Sequence, residues 1–203
     1  DYDGAKASYG RAIKADPNHA KAHNNLGLLL VDKFQDYDGA KASYGRAIKA
    51  DPNYASAHYN LGVLLQTKFQ DYDGAKASYG RAIKADPNYA KAHYNLARLL
   101  ENKFQDYDGA KASYGRAIEA DPNFALAHHN LAILFEDTNM YPEAEVEYLA
   151  ALAIEPQKHD SRYWLANMLG NTLSRWSDAA THMQIAADGG FEKAQTALAE
   201  YKQ

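Results

Sequence analysis

The segment DYDGAKASYGRAI opens the chain at Asp1 and returns letter for letter at Asp36, Asp71 and Asp106, a spacing of 35 residues. A fixed period of ~20–50 residues marks a stacked array, because one unit cannot bury its apolar faces alone and neighbours must cover them. One full unit runs from Ala20 to Tyr54 and contains two helical patterns. In the first, Ala22, Leu26, Leu29 and Leu30 recur at helical spacing with Gly27 beside them; in the second, Tyr37, Ala40, Tyr44, Ala47 and Ile48 do so. Asp36 stands where an N-cap accepts a backbone N–H, and Asp38 falls in the first turn, where the helix dipole favours negative charge. Pro52 ends the second helix, since it cannot continue the ladder and restricts the residue before it. Asn53 is then the expected cap of the next first helix. Each unit reads as a helical hairpin, and the chain as all-α.

The expected organisation is a single solenoid domain over residues 1–203. Residues 1–18 are a lone second helix, and 20–54, 55–89, 90–124, 125–158 and 159–190 are the repeats. Residues 191–203 form an amphipathic capping helix, with Glu192, Lys193, Glu200 and Lys202 suited to the open end. The unit from Ala125 has lost one residue in its hairpin turn, and the next is more divergent. The first three full units carry an extra residue within KFQD. There Phe34, Phe69 and Phe104, with Leu173 at the same offset in the fifth, are expected to tuck under the turn and alter helix splay. Gly10, Gly45, Gly80 and Gly115 interrupt the second helices at ~1 kcal/mol each relative to Ala. They are read as a tolerated loss copied by duplication rather than as sites of close helix contact.

Composition removes several function classes. A net charge of −4 over 203 residues is too mild for nucleic acid or a charged membrane surface. No apolar run approaches the ~20 residues that span a bilayer. No leader peptide is read, the chain beginning inside a repeat; the expected compartment is the cytoplasm. Absence of cysteine excludes disulfides, thiolate metal sites and a Cys nucleophile. No phosphate-loop, dinucleotide, nucleophile-elbow or zincin motif is present, so the chain is not expected to be an enzyme or to carry a cofactor. His23, His58, His93 and His128 recur once per repeat. Metal ligation needs nitrogens ~2.0–2.1 Å from one ion, whereas packed helices lie ~8–10 Å apart, so packing or inter-repeat hydrogen bonding is expected and no metal site.

The first helix carries a second stripe, separate from its core stripe. It comprises Lys21, Asn24, Asn25, Leu28, Val31 and Asp32; then Ser56, Tyr59, Asn60, Val63, Gln66 and Thr67. In the next repeats it comprises Lys91, Tyr94, Asn95, Arg98, Glu101 and Asn102; then Leu126, His129, Asn130, Ile133, Glu136 and Asp137. Asn25, Asn60, Asn95 and Asn130 form a row of amides, each both donor and acceptor, which suits a peptide backbone whatever its side chains. Lys21, Lys91 and Arg98 suit acidic groups. Tyr59, Tyr94, Val63 and Ile133 offer an aromatic and aliphatic strip.

The letters NLG at Asn25–Gly27 and Asn60–Gly62, NLA at Asn95–Ala97 and Asn130–Ala132, DYDGA, and the closing prolines Pro52, Pro87, Pro122 and Pro156 resemble the tetratricopeptide repeat family across nearly the whole chain. The resemblance implies a right-handed α-α superhelix whose first helices line a concave, peptide-holding groove. The candidate peptide-binding set is then Lys21, Asn24, Asn25, Leu28, Tyr59, Asn60, Val63, Lys91, Tyr94, Asn95, Arg98, His129, Asn130 and Ile133. The family's usual first-helix aromatic is replaced by His23, His58, His93 and His128. The lysine positions of its carboxylate clamp hold Asn24, Tyr59, Tyr94 and His129, so a chaperone tail is not the expected ligand. The implied function is a protein-interaction scaffold. The alternative is a self-associating array in which the exposed stripe Tyr2, Ala5, Tyr9, Ala12 and Ile13 of the leading helix meets another copy.

Overall fold

The computed structural model describes residues 1–201, with side-chain surroundings through Leu198. Among these residues every regular element is a helix, and the chain divides into two compact units, residues 1–113 and 114 onward, with the boundary inside one helix. The first unit holds α1 (Tyr2–Ala15), α2 (Ala20–Leu29), α3 (Tyr37–Ala50), α4 (Ala55–Leu64), α5 (Tyr72–Ala85), α6 (Ala90–Leu99) and the start of α7 (Tyr107–Ala120). The second holds the rest of α7, then α8 (Ala125–Asp137), α9 (Tyr141–Ile154), α10 (His159–Asn167), α11 (Trp176–Asp188) and α12 (Glu192–Tyr201). Of the expected cap residues, Lys202 lies outside the described residues and the Glu200 side chain is likewise not described; Glu192 and Lys193 are exposed on α12, which packs on α11.

Local chemistry sets these boundaries. Asp1, Asp36, Asp71 and Asp106 each accept the N–H of the glycine three residues on, at 2.9 Å, capping α1, α3, α5 and α7. The expected cap at Asn53 is not found. Its own N–H is turned to Asp51 Oδ1 at 3.0 Å, and α4 begins after Tyr54 with no side-chain cap. The aspartate of each DPN loop thus folds its own turn rather than opening the next helix.

The extra residue of the 35-residue unit is taken up within the helix, not in a longer loop. α2, α4 and α6 each finish in a π-helical turn, Leu30–Phe34, Leu65–Phe69 and Leu100–Phe104. Gln35, Gln70 and Gln105 then turn the chain through the left-handed region at φ 52–54°. Asp36, Asp71 and Asp106 N–H close the turn onto Leu30, Leu65 and Leu100 oxygens at 3.0–3.1 Å. In the 34-residue unit α8 stays α-helical to Asp137, and Asn139, which tolerates that backbone better than Gln, makes the turn at φ 60°. Phe34 and Phe69 tuck onto the core as expected.

Each turn also clasps the second helix of the preceding repeat. Lys33 Nζ lies 4.8 Å from the Tyr2 ring centroid while Lys6 lies 4.5 Å from that of Phe34. Lys68 with Tyr37, Lys41 with Phe69, Lys103 with Tyr72 and Lys76 with Phe104 repeat the exchange at 4.6–4.8 Å. At ~0.5–1 kcal/mol per exposed cation–π contact, these reciprocal pairs add a modest, repeated stabilisation to every junction of the first unit.

The core of each hairpin is the match between a small residue on the first helix and a tyrosine on the second. A Cβ placed on Gly27 would lie 2.6 Å from Tyr44 Cε1, and one on Gly62 would lie 2.7 Å from Tyr79 Cε1. Ala40, Tyr44, Ala47, Ala75, Tyr79 and Ala82 are all at most 1% exposed. In the second unit Ala132, Ala144, Tyr148, Leu165 and Met168 form the corresponding cluster. A Cβ on Gly10, Gly45, Gly80 or Gly115 would meet nothing within 4 Å, so those glycines face open space and make no close helix contact.

Candidate functional site

The stripe on the first helices is in place, but its members differ in what they have left to offer. Asn60 Nδ2 donates to Asn24 Oδ1 at 2.9 Å, and Asn95 Nδ2 donates to Tyr59 Oη at 3.0 Å. Asn24 Nδ2 in turn reaches Asn25 Oδ1 at 3.3 Å. Both lateral bonds span 36 positions, one period plus one residue, so neighbouring first helices are stitched side by side through the stripe itself. Part of the amide row therefore couples repeats.

Lys21, Leu28, Lys91 and Arg98 are exposed. Asn25, Tyr59, Asn60, Val63, Tyr94, Asn95, Asn130 and Ile133 are half-buried. Two expected contact residues are not available at the surface. Asn24 is 3% exposed and bonded as above, and His129 is 7% exposed with Nδ1 and Ser161 Oγ sharing a hydrogen bond at 2.8 Å. Burial, opposed by Asp160, pushes the His129 imidazole below its ordinary range and favours the neutral ring. Val63 and Tyr59 lean on the Leu65–Tyr79–Leu99 cluster, and Ile133 on that around Tyr148, which leaves only their outer edges. The Tyr59 ring sits 5.1 Å from Tyr89 and 6.0 Å from Tyr79. Tyr79 donates to Gln66 Oε1 at 2.7 Å and Tyr148 to Glu136 Oε2 at 2.9 Å, so those two stripe positions hold the core tyrosines. The most open cationic part is one face of α6. There Lys91, Tyr94, Asn95 and Arg98 follow at helical spacing, and the Arg98 guanidinium lies 5.8 Å from the Tyr94 ring centroid.

The repeated histidines have a structural part that spacing alone did not specify. His23, His58 and His93 each bring Nε2 to 2.9 Å from the carbonyl oxygen of Pro17, Pro52 and Pro87, six residues back. His128 does so with Pro122 at 3.2 Å. In the fifth repeat Arg162 stands at this position and donates Nη2 to Pro156 O at 3.0 Å, keeping the bond with a different side chain. Each ties a first helix to the loop before it and satisfies a carbonyl that the proline turn leaves open.

His128 is also bonded at Nδ1, to Glu147 Oε2 at 2.6 Å. Both of its partners are acceptors, so making both bonds requires the imidazolium. The Glu147 hydrogen bond, against the opposing effect of burial, raises the ring above its ordinary value near 6.5. Stability from this pair is full below the unfolded value and is lost as pH rises through the raised folded value. Glu147→Gln should therefore cost most near pH ~6 and progressively less toward pH ~9, read as urea midpoints of both proteins across that range. A constant gap would show that the pair does not titrate. His129 acts in the opposite sense, its contribution being lost as pH falls through its lowered value. That background is common to both proteins and cancels in the comparison.

Among the described residues no helix is long and apolar enough to cross a membrane. Family models described as TPR repeat match residues 35–68 and 69–103, and models described as tetratricopeptide repeat match 1–33 and 102–168. No curated protein is a significant match. Among solved structures, MamA is 28% identical at a TM-score of 0.68, covering 79% of this chain and 92% of its own. YrrB, described as a TPR protein with an unusual peptide-binding site, is 23% identical at 0.76, covering 96% and 98%. MamA from Desulfovibrio magneticus RS-1 is 19% identical at 0.71, covering 87% and 96%.

Proposed function

The chain belongs to the tetratricopeptide repeat family, and from that we propose that it is a scaffold that recruits a protein partner by holding an extended segment across its first helices. The observation that carries this reading is the lateral register. Asn60–Asn24 and Asn95–Tyr59 bonds join neighbouring first helices into one strip, along which the exposed Lys21, Leu28, Lys91 and Arg98 are distributed. The amides contribute chiefly the carbonyl oxygens of Asn60 and Asn95, which make no hydrogen bond among the described residues and suit backbone N–H groups of the guest. Lys91 and Arg98 attract acidic side chains, and Tyr94 supplies flat area with a polar tip. The peptide-binding description of YrrB supports a peptide ligand as a class, not any particular sequence. A net charge of −4 gives nucleic acid no electrostatic footprint, and we read the chain as a binding protein rather than an enzyme.

Replacing all four Asn residues would confuse binding with repeat coupling, since Asn60 holds the buried Asn24. The cleaner test selects linear peptides from a random library on the intact protein and titrates the best one against Lys91→Ala/Tyr94→Ala/Arg98→Ala. We expect affinity to fall by about 100-fold, of the order seen when clustered hot-spot residues are truncated, with the circular dichroism spectrum unchanged. Unchanged affinity, or failure of any peptide to be selected, rejects the groove.

A second reading, self-association, has one observation behind it. Ala5, Ser8, Tyr9 and Ala12 of α1 are partly or fully exposed, whereas the same letters in α3, Ala40, Ser43, Tyr44 and Ala47, are covered. Sedimentation at rising concentration decides it: a species that stays monomeric rules it out.

A further inference from the structure

Two clefts of the same build lie away from the stripe, each between a DPN loop and the next second helix. One, of about 390 Å³, is lined by Asn18, His23, Arg46 and Lys49 among others; its copy one period later, of about 320 Å³, is lined by Asn53, His58, Arg81 and Lys84. His23 and His58 are 3% and 4% exposed, and the Nδ1 of each is buried without a hydrogen-bond partner. At the rim, Arg46, Lys49, Arg81 and Lys84 are exposed and make no ion pair among the described residues. Each cleft therefore presents two unpaired cations, three residues apart on one helix, and these rather than the histidine nitrogen are what it offers an anion.

The chain itself indicates what such a pair takes. In α7 the same segment recurs with Glu119 in place of the lysine, and Glu119 Oε2 accepts from Arg116 Nη1 at 2.8 Å. There the arginine already has a carboxylate; in α3 and α5 the lysine leaves both cations open. The carboxylate that fills this position in α7 points to a carboxylate rather than a phosphate as the group the other two clefts take.

We propose that these two clefts bind the carboxylates of acidic side chains on a protein partner, one per cleft, on a surface separate from the first-helix strip. The test titrates isotope-labelled full chain with an end-blocked tetraglutamate peptide and, separately, with inorganic phosphate, following backbone amides and arginine Nε–H signals. The peptide should give saturating shifts at Asn18, Arg46, Asn53 and Arg81 at lower concentration than phosphate does. Lys49→Glu/Lys84→Glu installs at both sites the residue α7 already accommodates, so the fold is kept while each arginine gains an internal carboxylate. Peptide affinity at these residues should then fall about tenfold or more. Absence of saturable shifts, shifts unchanged in the variant, or phosphate matching the peptide would each overturn the assignment. Because Lys91, Tyr94 and Arg98 are untouched, the outcome is independent of the strip's.

Discussion

Tyr79→Ala lowers the unfolding free energy by about 3–5 kcal/mol, the range for truncating a fully buried large aromatic residue. The ring is 1% exposed and packs against the Gly62 backbone, where no side chain exists to relax into the space it leaves. Its hydroxyl donates to Gln66 Oε1, which loses its donor at the same time. Tyr79→Phe keeps the ring and removes only that bond, so about 1 kcal/mol is expected, the usual net worth of one hydrogen bond. Urea unfolding of both variants separates packing from bonding. A loss below about 1.5 kcal/mol for the alanine variant would mean that the hairpin closes over the gap, and the tyrosine–glycine match would not be what holds the hairpin.

The opposite change is stabilising at a different set of glycines. Gly45→Ala/Gly80→Ala/Gly115→Ala should raise stability by about 3 kcal/mol, from ~1 kcal/mol for each helix-interior position. A new Cβ there meets nothing within 4 Å, so the lower backbone entropy of the unfolded chain carries no packing penalty. The sites lie on α3, α5 and α7, so their effects should add. Thermal or urea unfolding of the single and triple variants measures this. A neutral or destabilised triple variant would show that these positions approach another helix, the reading set aside above.

Much of the architecture was legible in the letters because it rests on local rules that repeat. The 35-residue period, the aspartate caps, the proline stops and the small-residue and tyrosine stripes each act within a few residues of themselves. The π-helical turns were not legible. An added residue in KFQD fits a longer loop as well as a wider helical turn, and only closure of Asp36 N–H onto Leu30 O distinguishes them. The candidate strip was legible as a face but not as an inventory of free groups. Asn24 and Asn25 are adjacent amides, and which of them is buried depends on a lateral bond to Asn60 in the next repeat. His129 holds a stripe position in the letters, but its ring is buried and its Nδ1 shares a hydrogen bond with Ser161 on the divergent α10, a partner 32 residues away. The clefts at Arg46 and Arg81 are not legible in the letters because their residues come from three segments, and no one segment shows the pairing. One signal was present all the same, the single exchange of lysine for Glu119 in an otherwise copied helix.

The scaffold reading stands on the first helices acting together as one surface for an extended guest. The most direct measurement places a nitroxide on one end, then the other, of the library-selected peptide and records the broadening of backbone amides in its complex with the intact protein. Broadening that moves between α2 and α6 along Asn25, Asn60 and Asn95 as the label changes ends is the predicted result. Broadening centred on α3 and α5, or identical for both labels, would contradict it.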